Sequence, residues 1–312
     1  REVAVPIEDV RRAVRALAYP NGRTLIGWEA KAIDGDGFGL AAQRYGTDVA
    51  PLGEVIALNQ ATEGDQRLGD LALFSDYGFV AVWDDPELDG DGHGVVARRF
   101  TANGQPAGEE VLVNTNATGE QVSPTVTSLD DDEWVVAWSD AGAVKTSRFT
   151  HDGSHVAGSV ERRAHAEIAG DQGAPAVASL GDGGAVVVFE APVFPGKASE
   201  IRLSVLGADG EWQARGLAVN TTTADVQAQP AVGAADGQVV ATWNSEGQDG
   251  SIDGIYARRF DGLGAPQGSE FLVNETTAGS QAQPAVAVAS TGAFIVVWTA
   301  EASGGSDIFG RA

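Results

Sequence analysis

The stretch Gly292-Ala293-Phe294-Ile295-Val296-Val297-Trp298 constrains this chain more than any other, because it is written six times. The other copies end at Trp28, Trp83, Trp138, Phe189 and Trp243, spaced 51 to 55 residues apart. Self-similarity at such a period means stacked supersecondary units that share one core. The 312 residues are therefore expected to form a single domain, 1–312, although length alone would allow two. Short, nearly continuous apolar runs of this kind read as strands buried on both faces.

The clearest copy spans 227–274. It opens with Gln227-Ala228-Gln229-Pro230-Ala231-Val232, a strand entered through a proline, where no ladder donor is lost. Ala235-Asp236-Gly237 turns the chain into the apolar run Val239 to Trp243. A polar loop leads to a third strand, Ile255-Tyr256-Ala257-Arg258-Arg259-Phe260, and a second turn leads to Glu270-Phe271-Leu272-Val273-Asn274. Four antiparallel strands in about 50 residues is the size of one propeller blade. Six copies predict an all-β fold, a six-bladed β-propeller of four-stranded antiparallel blades. The last copy stops after its third strand, while Glu2-Val3-Ala4-Val5 matches a fourth strand with nothing before it. Residues 1–9 are expected to complete the last blade and close the ring, leaving no loose edge. The first copy departs most, and 7–17 has an amphipathic helical pattern, but alignment of the repeats predicts a strand there.

Gln-x-x-Pro-x-Val, an Asp-Gly turn, Val-Val-x-Trp, Asp-Gly-Ile-Tyr-Ala-Arg-Arg-Phe and Glu-Phe-Leu-Val-Asn together resemble a repeat of large secreted bacterial surface and calcium-binding proteins. The resemblance is closest over 227–299 and weakest over 1–25 and 150–215. It implies a β-propeller from an extracellular, bacterial setting, secreted or at the cell surface, in company with adhesion modules. It implies no catalytic activity, since the matched positions are mostly Gly, Pro and core residues.

Composition narrows the partners. The net charge of −24 repels nucleic acid and anionic membrane surfaces, and it favours cations or a saline medium. Absence of cysteine excludes disulfides and thiolate chemistry. Methionine is absent even at position 1, as expected of a processed or trimmed chain, and a removed signal peptide would fit. No apolar run approaches the ~18 residues of a membrane span.

Candidate site residues fall in the loops. Asp34 and Asp36, Asp89 and Asp91, and Asp249 and Asp253 alternate with Gly between second and third strands. Such loops offer carboxylates and backbone oxygens to Ca2+, although Asp-Gly is equally a hairpin turn pair and no EF-hand Glu follows. Gln66, Gln121, Gln172, Gln227 and Gln281 precede the first strands, where a side-chain amide can satisfy backbone groups between blades. Beside three of them stand Asp65, Glu120 and Asp171, candidates to hold a cation at the channel mouth. Trp212, in a turn-rich stretch, is a candidate to stack on a sugar ring, and Trp134 lies outside the repeated register. His151, His155 and His165 cluster in sequence without the partner residues of a zinc motif.

No catalytic residue is assigned by motif. The expected function is a non-catalytic extracellular binding or structural module, contacting a protein or carbohydrate partner through one face, with Ca2+ as the one candidate ion. Two alternatives stand beside it. One is an enzyme (hydrolase, lactonase or polysaccharide lyase) with a metal at the channel mouth, which a single asymmetric cluster of acids and histidine holding a metal at one mouth would favour. The other is a subunit of a surface assembly or filament.

Overall fold

The computed structural model describes residues 11–166, 170–193, 198–302 and 305–312. It is an all-β, six-bladed propeller. Blades 1 to 5 (11–57, 67–112, 121–163, 173–218 and 227–272) each hold four antiparallel strands in sequence order. Blade 6 contributes three strands among the described residues, Gln281–Val288, Phe294–Ala302 and Gly305–Arg311. The fourth strand expected from residues 1–9 lies outside the described residues. Arg11–Ala18 is a strand, as the repeat alignment predicts against the local helical pattern. Among the described residues the only helix is a single 3-10 turn, Asp130–Asp132, far too short to cross a membrane.

The repeated aromatic forms the core between blades. Trp83, Trp138, Phe189 and Trp243 are fully buried, and Trp28 and Trp298 nearly so. One apolar cluster joins Val80 and Val82 of blade 2 to Trp134, Val136 and Trp138 of blade 3, and another joins Val186 and Val188 of blade 4 to Trp243 of blade 5. The Ala235-Asp236-Gly237-Gln238 hairpin shows the turn chemistry. Asp236 and Gly237 both take positive φ (47° and 72°), the geometry of a two-residue hairpin, which suits Gly and Asp.

Polar residues of the repeat fasten blade to blade. The fourth-strand Asn of blade 2, Asn114, is buried. It accepts from Val95 N–H at 2.8 Å and donates to Asp89 Oδ2 at 2.9 Å, Asn116 O at 3.0 Å and Gln121 Oε1 at 3.1 Å. Asn59 and Asn274 repeat the arrangement. Glutamates near the fourth strands reach back one blade. Glu161 accepts from Thr115 N–H (2.5 Å) and Asn116 N–H (2.7 Å), and Glu270 from Thr221 and Thr222. Arg258 donates to Val219 O and Arg311 to Val273 O, again across to the preceding blade.

Candidate functional site

First strands of successive blades meet from blade 1 to blade 6 and line the central channel. At one end of it stand the start of each first strand, the end of each second strand and the loop that follows. There, the residue after the repeated aromatic is polar in every blade: Glu29, Asp84, Ser139, Glu190, Asn244 and Thr299. Cross-strand pairing places it opposite Arg12, Arg67, Val122, Gly173, Ala228 and Ala282 respectively. The six pairs form a ring around the mouth.

Just beyond this position each first strand carries a β-bulge. In five blades a non-glycine residue there takes the left-handed conformation: Ala13, Ser123, Ala174, Gln229 and Gln283, with φ between 46° and 56°. Such backbone costs of order 1–3 kcal/mol and clusters at functional sites. The bulge presents a backbone N–H to the preceding blade, and acids of the ring receive it. Leu68 N–H donates to Glu29 Oε1 at 2.8 Å, Ser123 N–H to Asp84 Oδ2 at 3.4 Å, and Gln229 N–H to Glu190 Oε1 at 2.7 Å. Gln283 N–H instead meets the Gln229 side-chain oxygen at 2.7 Å.

The ring is repeated in backbone but not in chemistry. Carboxylates stand in blades 1, 2 and 4 only. Glu29 is buried and held by Arg12 Nε at 2.5 Å, so it is fully engaged. Glu190 faces Gly173, and among the described residues no cation stands beside it. Burial pushes its carboxyl above the usual range, and the Gln229 N–H only partly offsets this. Asp84 is likewise pushed up by burial, with Arg67 and His93 pulling it back in part. His93 Nδ1 lies 3.0 Å from Asp84 Oδ1, and Arg67 Nη1 lies 3.6 Å from the same oxygen. Arg67 Nη2 donates to His93 Nε2 at 2.9 Å. A guanidinium can only donate, so this contact requires a lone pair on Nε2 and puts the imidazole proton on Nδ1, the nitrogen nearer Asp84, although Nδ1 and Oδ1 are not aligned for a hydrogen bond. An acid and an imidazole at this separation are within reach of proton transfer.

The residues singled out by sequence occupy other places. Asp34 and Asp89 fold back onto their own loops, accepting from Asp36 N–H and Asp91 N–H and from the Asn59 and Asn114 amides. Gly94 permits this fold, since a Cβ there would stand 2.8 Å from the Asp89 carboxyl carbon. Asp36 and Asp91 accept from Gly64 N–H and Gly119 N–H, in the loops that lead to the next blade. Asp249 accepts from Ser251 N–H and Asn274, and Asp253 from the Ser280 hydroxyl. Among the described residues, no three of His, Asp or Glu are grouped to hold a metal ion. Asp65, Glu120 and Asp171 cover Gly37, Gly92 and Gly142 of the preceding blade, each at a separate seam. Asp65 also accepts from Phe38 N–H. The glutamines join blades: the Gln121 amide donates to Thr118 O and its oxygen accepts from Asn114.

Trp212 starts an outermost strand, paired with Leu206, and packs half-buried on the apolar cluster of Leu206 and Phe189, across the blade from the channel. Trp134 is fully buried, stacked on Phe149 at 4.1 Å, with Nε1 donating to Thr150 O. Of the clustered histidines, His151 packs on Phe74 and His155 on Phe149. His165 is buried against Phe189, its pKa lowered by burial.

Glu29, Asp84, Glu190, Arg12, Arg67 and His93 are not among the residues singled out by sequence. The signal was present, one residue beyond the repeated aromatic, where three blades carry an acid and three a neutral polar residue.

No protein-family model matches this chain, and no curated protein sequence matches it. Solved structures do. The α-L-arabinanase of Penicillium chrysogenum, complexed with arabinobiose, superposes with a TM-score of 0.59 at 14% identity, over 95% of this chain and 90% of that one. An ulvan lyase, described as a new family of polysaccharide lyase, gives 0.61 at 12% identity, over 95% and 78%. The Fusarium graminearum α-L-arabinofuranosidase, complexed with arabinobiose, gives 0.58 at 13% identity, over 92% and 87%. At such identities the likeness establishes the fold. It also corrects the expectation of a non-catalytic binding or structural module. These propellers of the same architecture are carbohydrate-processing enzymes, and two of them hold a saccharide.

Proposed function

We propose that this protein is a carbohydrate-active enzyme that cleaves glycosidic bonds at the channel mouth, as a hydrolase or a polysaccharide lyase. The observation that carries the reading is the asymmetry of the ring. One register position, set opposite the first strand in every blade, bears carboxylates in three blades and an Asp–His pair in only one. A purely architectural position would be filled nearly alike from blade to blade, as the glutamine position is in five of the six. Further support comes from the carbohydrate-processing propellers that share the fold.

Roles follow from environment. Glu190 has its carboxyl raised by burial, no cation beside it among the described residues, and partial access to solvent. That is the condition of a general acid, which protonates the leaving oxygen. Asp84 with His93 sits beside cationic Arg67 and supplies the base side, activating water in hydrolysis or removing a ring proton in elimination. Glu29, tied to Arg12 and Leu68, holds blades 1 and 2 in register at the mouth and is a positioning residue.

The test is turnover on a panel of neutral and acidic polysaccharides, reading new reducing ends for hydrolysis and ultraviolet absorbance of an unsaturated product for elimination. Glu190→Gln and Asp84→Asn are each expected to lower the rate ~10²–10⁴-fold, the usual worth of acid–base catalysis. No cleavage anywhere on the panel, or full activity in both variants, would overturn the proposal.

A further inference from the structure

The protein carries a net charge of −24, yet the wall of its channel is basic on one side. First strands of blades 3 to 6 read QVSPTVTS, GAPAVAS, QAQPAVGAA and QAQPAVAV, without a single Lys or Arg. Those of blades 1 and 2 read RRAVRALA and RLGDLAL. Arg12 and Arg67 occupy the same ring position in adjacent blades, where the other four blades have Val, Gly, Ala and Ala.

Both arginines are set up to present nitrogens outward. Arg12 spends Nε on Glu29 and lays its guanidinium over the Phe38 ring at 3.8 Å. Its terminal nitrogens have no hydrogen-bond partner among the described residues, and its side chain is 46% exposed. Arg67 touches Asp84 and His93 through its terminal nitrogens and is 50% exposed. Arg15, one step deeper, donates Nε to Gly69 O at 2.6 Å and lies beside Asp70. A buried acid behind each outer guanidinium fixes its direction and keeps it at the mouth. A planar guanidinium with free N–H groups matches carboxylate and sulfate oxygens in pairs. In a protein that repels anions elsewhere, two such groups on one wall select where an anion can enter.

We propose that the channel mouth recognises an anionic glycan, and that Arg12 and Arg67 bind the acidic group of one sugar unit, a uronate carboxylate or a sulfate ester. This rests on the glycan-active reading and names its substrate class. It also places the anion next to His93, whose Nε2 is the group that Arg67 now contacts.

Binding decides it. Calorimetric titrations would use three probes of similar length: an oligogalacturonate, a sulfated galactan oligosaccharide and a neutral xylo-oligosaccharide. At least one acidic probe is expected to bind ten-fold or more tightly than the neutral one, and more weakly as salt rises. Whichever acidic probe binds identifies the acidic group. Arg67→Gln, and the double variant Arg12→Gln with Glu29→Gln, are each expected to weaken that binding ten-fold or more. The double variant avoids leaving Glu29 buried as an unpaired charge, and a melting curve confirms that each variant folds. If a variant fails to fold, Arg12→Lys and Arg67→Lys take its place and are expected to lose part of the affinity. Equal affinity for neutral and acidic probes, no binding of either acidic probe, or unchanged affinity in folded variants would overturn the proposal. Its fate is separable from that of the catalytic reading. Tight acidic binding without cleavage sinks catalysis alone, and cleavage of neutral glycans untouched by the arginine variants sinks this inference alone.

Discussion

Two glutamates show how the same side chain is set to opposite purposes. Glu161 is drawn upward by burial, but the N–H groups of Asn116 and Thr115 and the Lys145 ammonium outweigh that and hold its pKa down to about 2. A depressed carboxyl stabilises the fold above its unfolded pKa and loses that contribution as pH falls through the folded value. Glu161→Gln is therefore expected to cost about 1–2 kcal/mol at pH 7, discounted for partial exposure. In denaturant titrations the difference from wild type should vanish as pH drops from about 4.5 towards 2. Glu190 runs the other way. Its raised carboxyl favours the protonated fold, so its stabilisation is complete below the unfolded pKa of about 4.5 and is lost as pH rises through the folded value. Glu190→Gln keeps the oxygen that accepts from Gln229 and removes the buried charge. Its Tm at pH 7 is expected to exceed that of wild type, with the gain fading in acid, while activity is lost. Higher stability at the expense of function is the mark of a site residue.

At the scale of the strand and its loops, the repeat was legible and the site was not. Trp83 and Trp138 announce themselves because a large aromatic at a fixed spacing has one physical use, filling the seam between blades. Asn114 and Gln121 recur for the same kind of reason, since buried amides must meet their partners in every blade. Asn114→Ala would orphan the Val95 N–H and remove three donor contacts at once. It is expected to cost roughly 2–4 kcal/mol in an unfolding titration, well above an exposed Asn→Ala change. Asp84 and Glu190 had no such signature. They are two of 44 acids, in the very register that elsewhere holds Ser, Asn and Thr. Only strand pairing reveals that they share a ring with Arg12 and Arg67. Trp212 misled in the opposite sense. Its glycine-rich surroundings suggest exposure, but pairing with Leu206 turns the ring onto the core.

Taken whole, the molecule is a ring of apolar clusters shared by neighbouring blades around a channel, carrying a net charge of −24. Self-repulsion of that order opposes compaction and is screened by salt. Calorimetric Tm is therefore expected to rise between low and roughly physiological ionic strength, about 0.15 M. A flat response would mean that the ion pairs at the seams, such as Arg162 with Glu211 at 2.9 Å, already balance the field locally.

The bulged first strands carry one more implication. Each offers the preceding blade a backbone N–H, and carboxylates meet that donor only in blades 2, 3 and 5. Ser139, Asn244 and Thr299 hold the equivalent posts in the remaining directions. A single codon change could install an acid at any of them, beside scaffolding that already exists. The propeller is thus an evolvable turret, on which a new set of mouth side chains can arise by re-equipping one spoke while the others go on holding the wheel together.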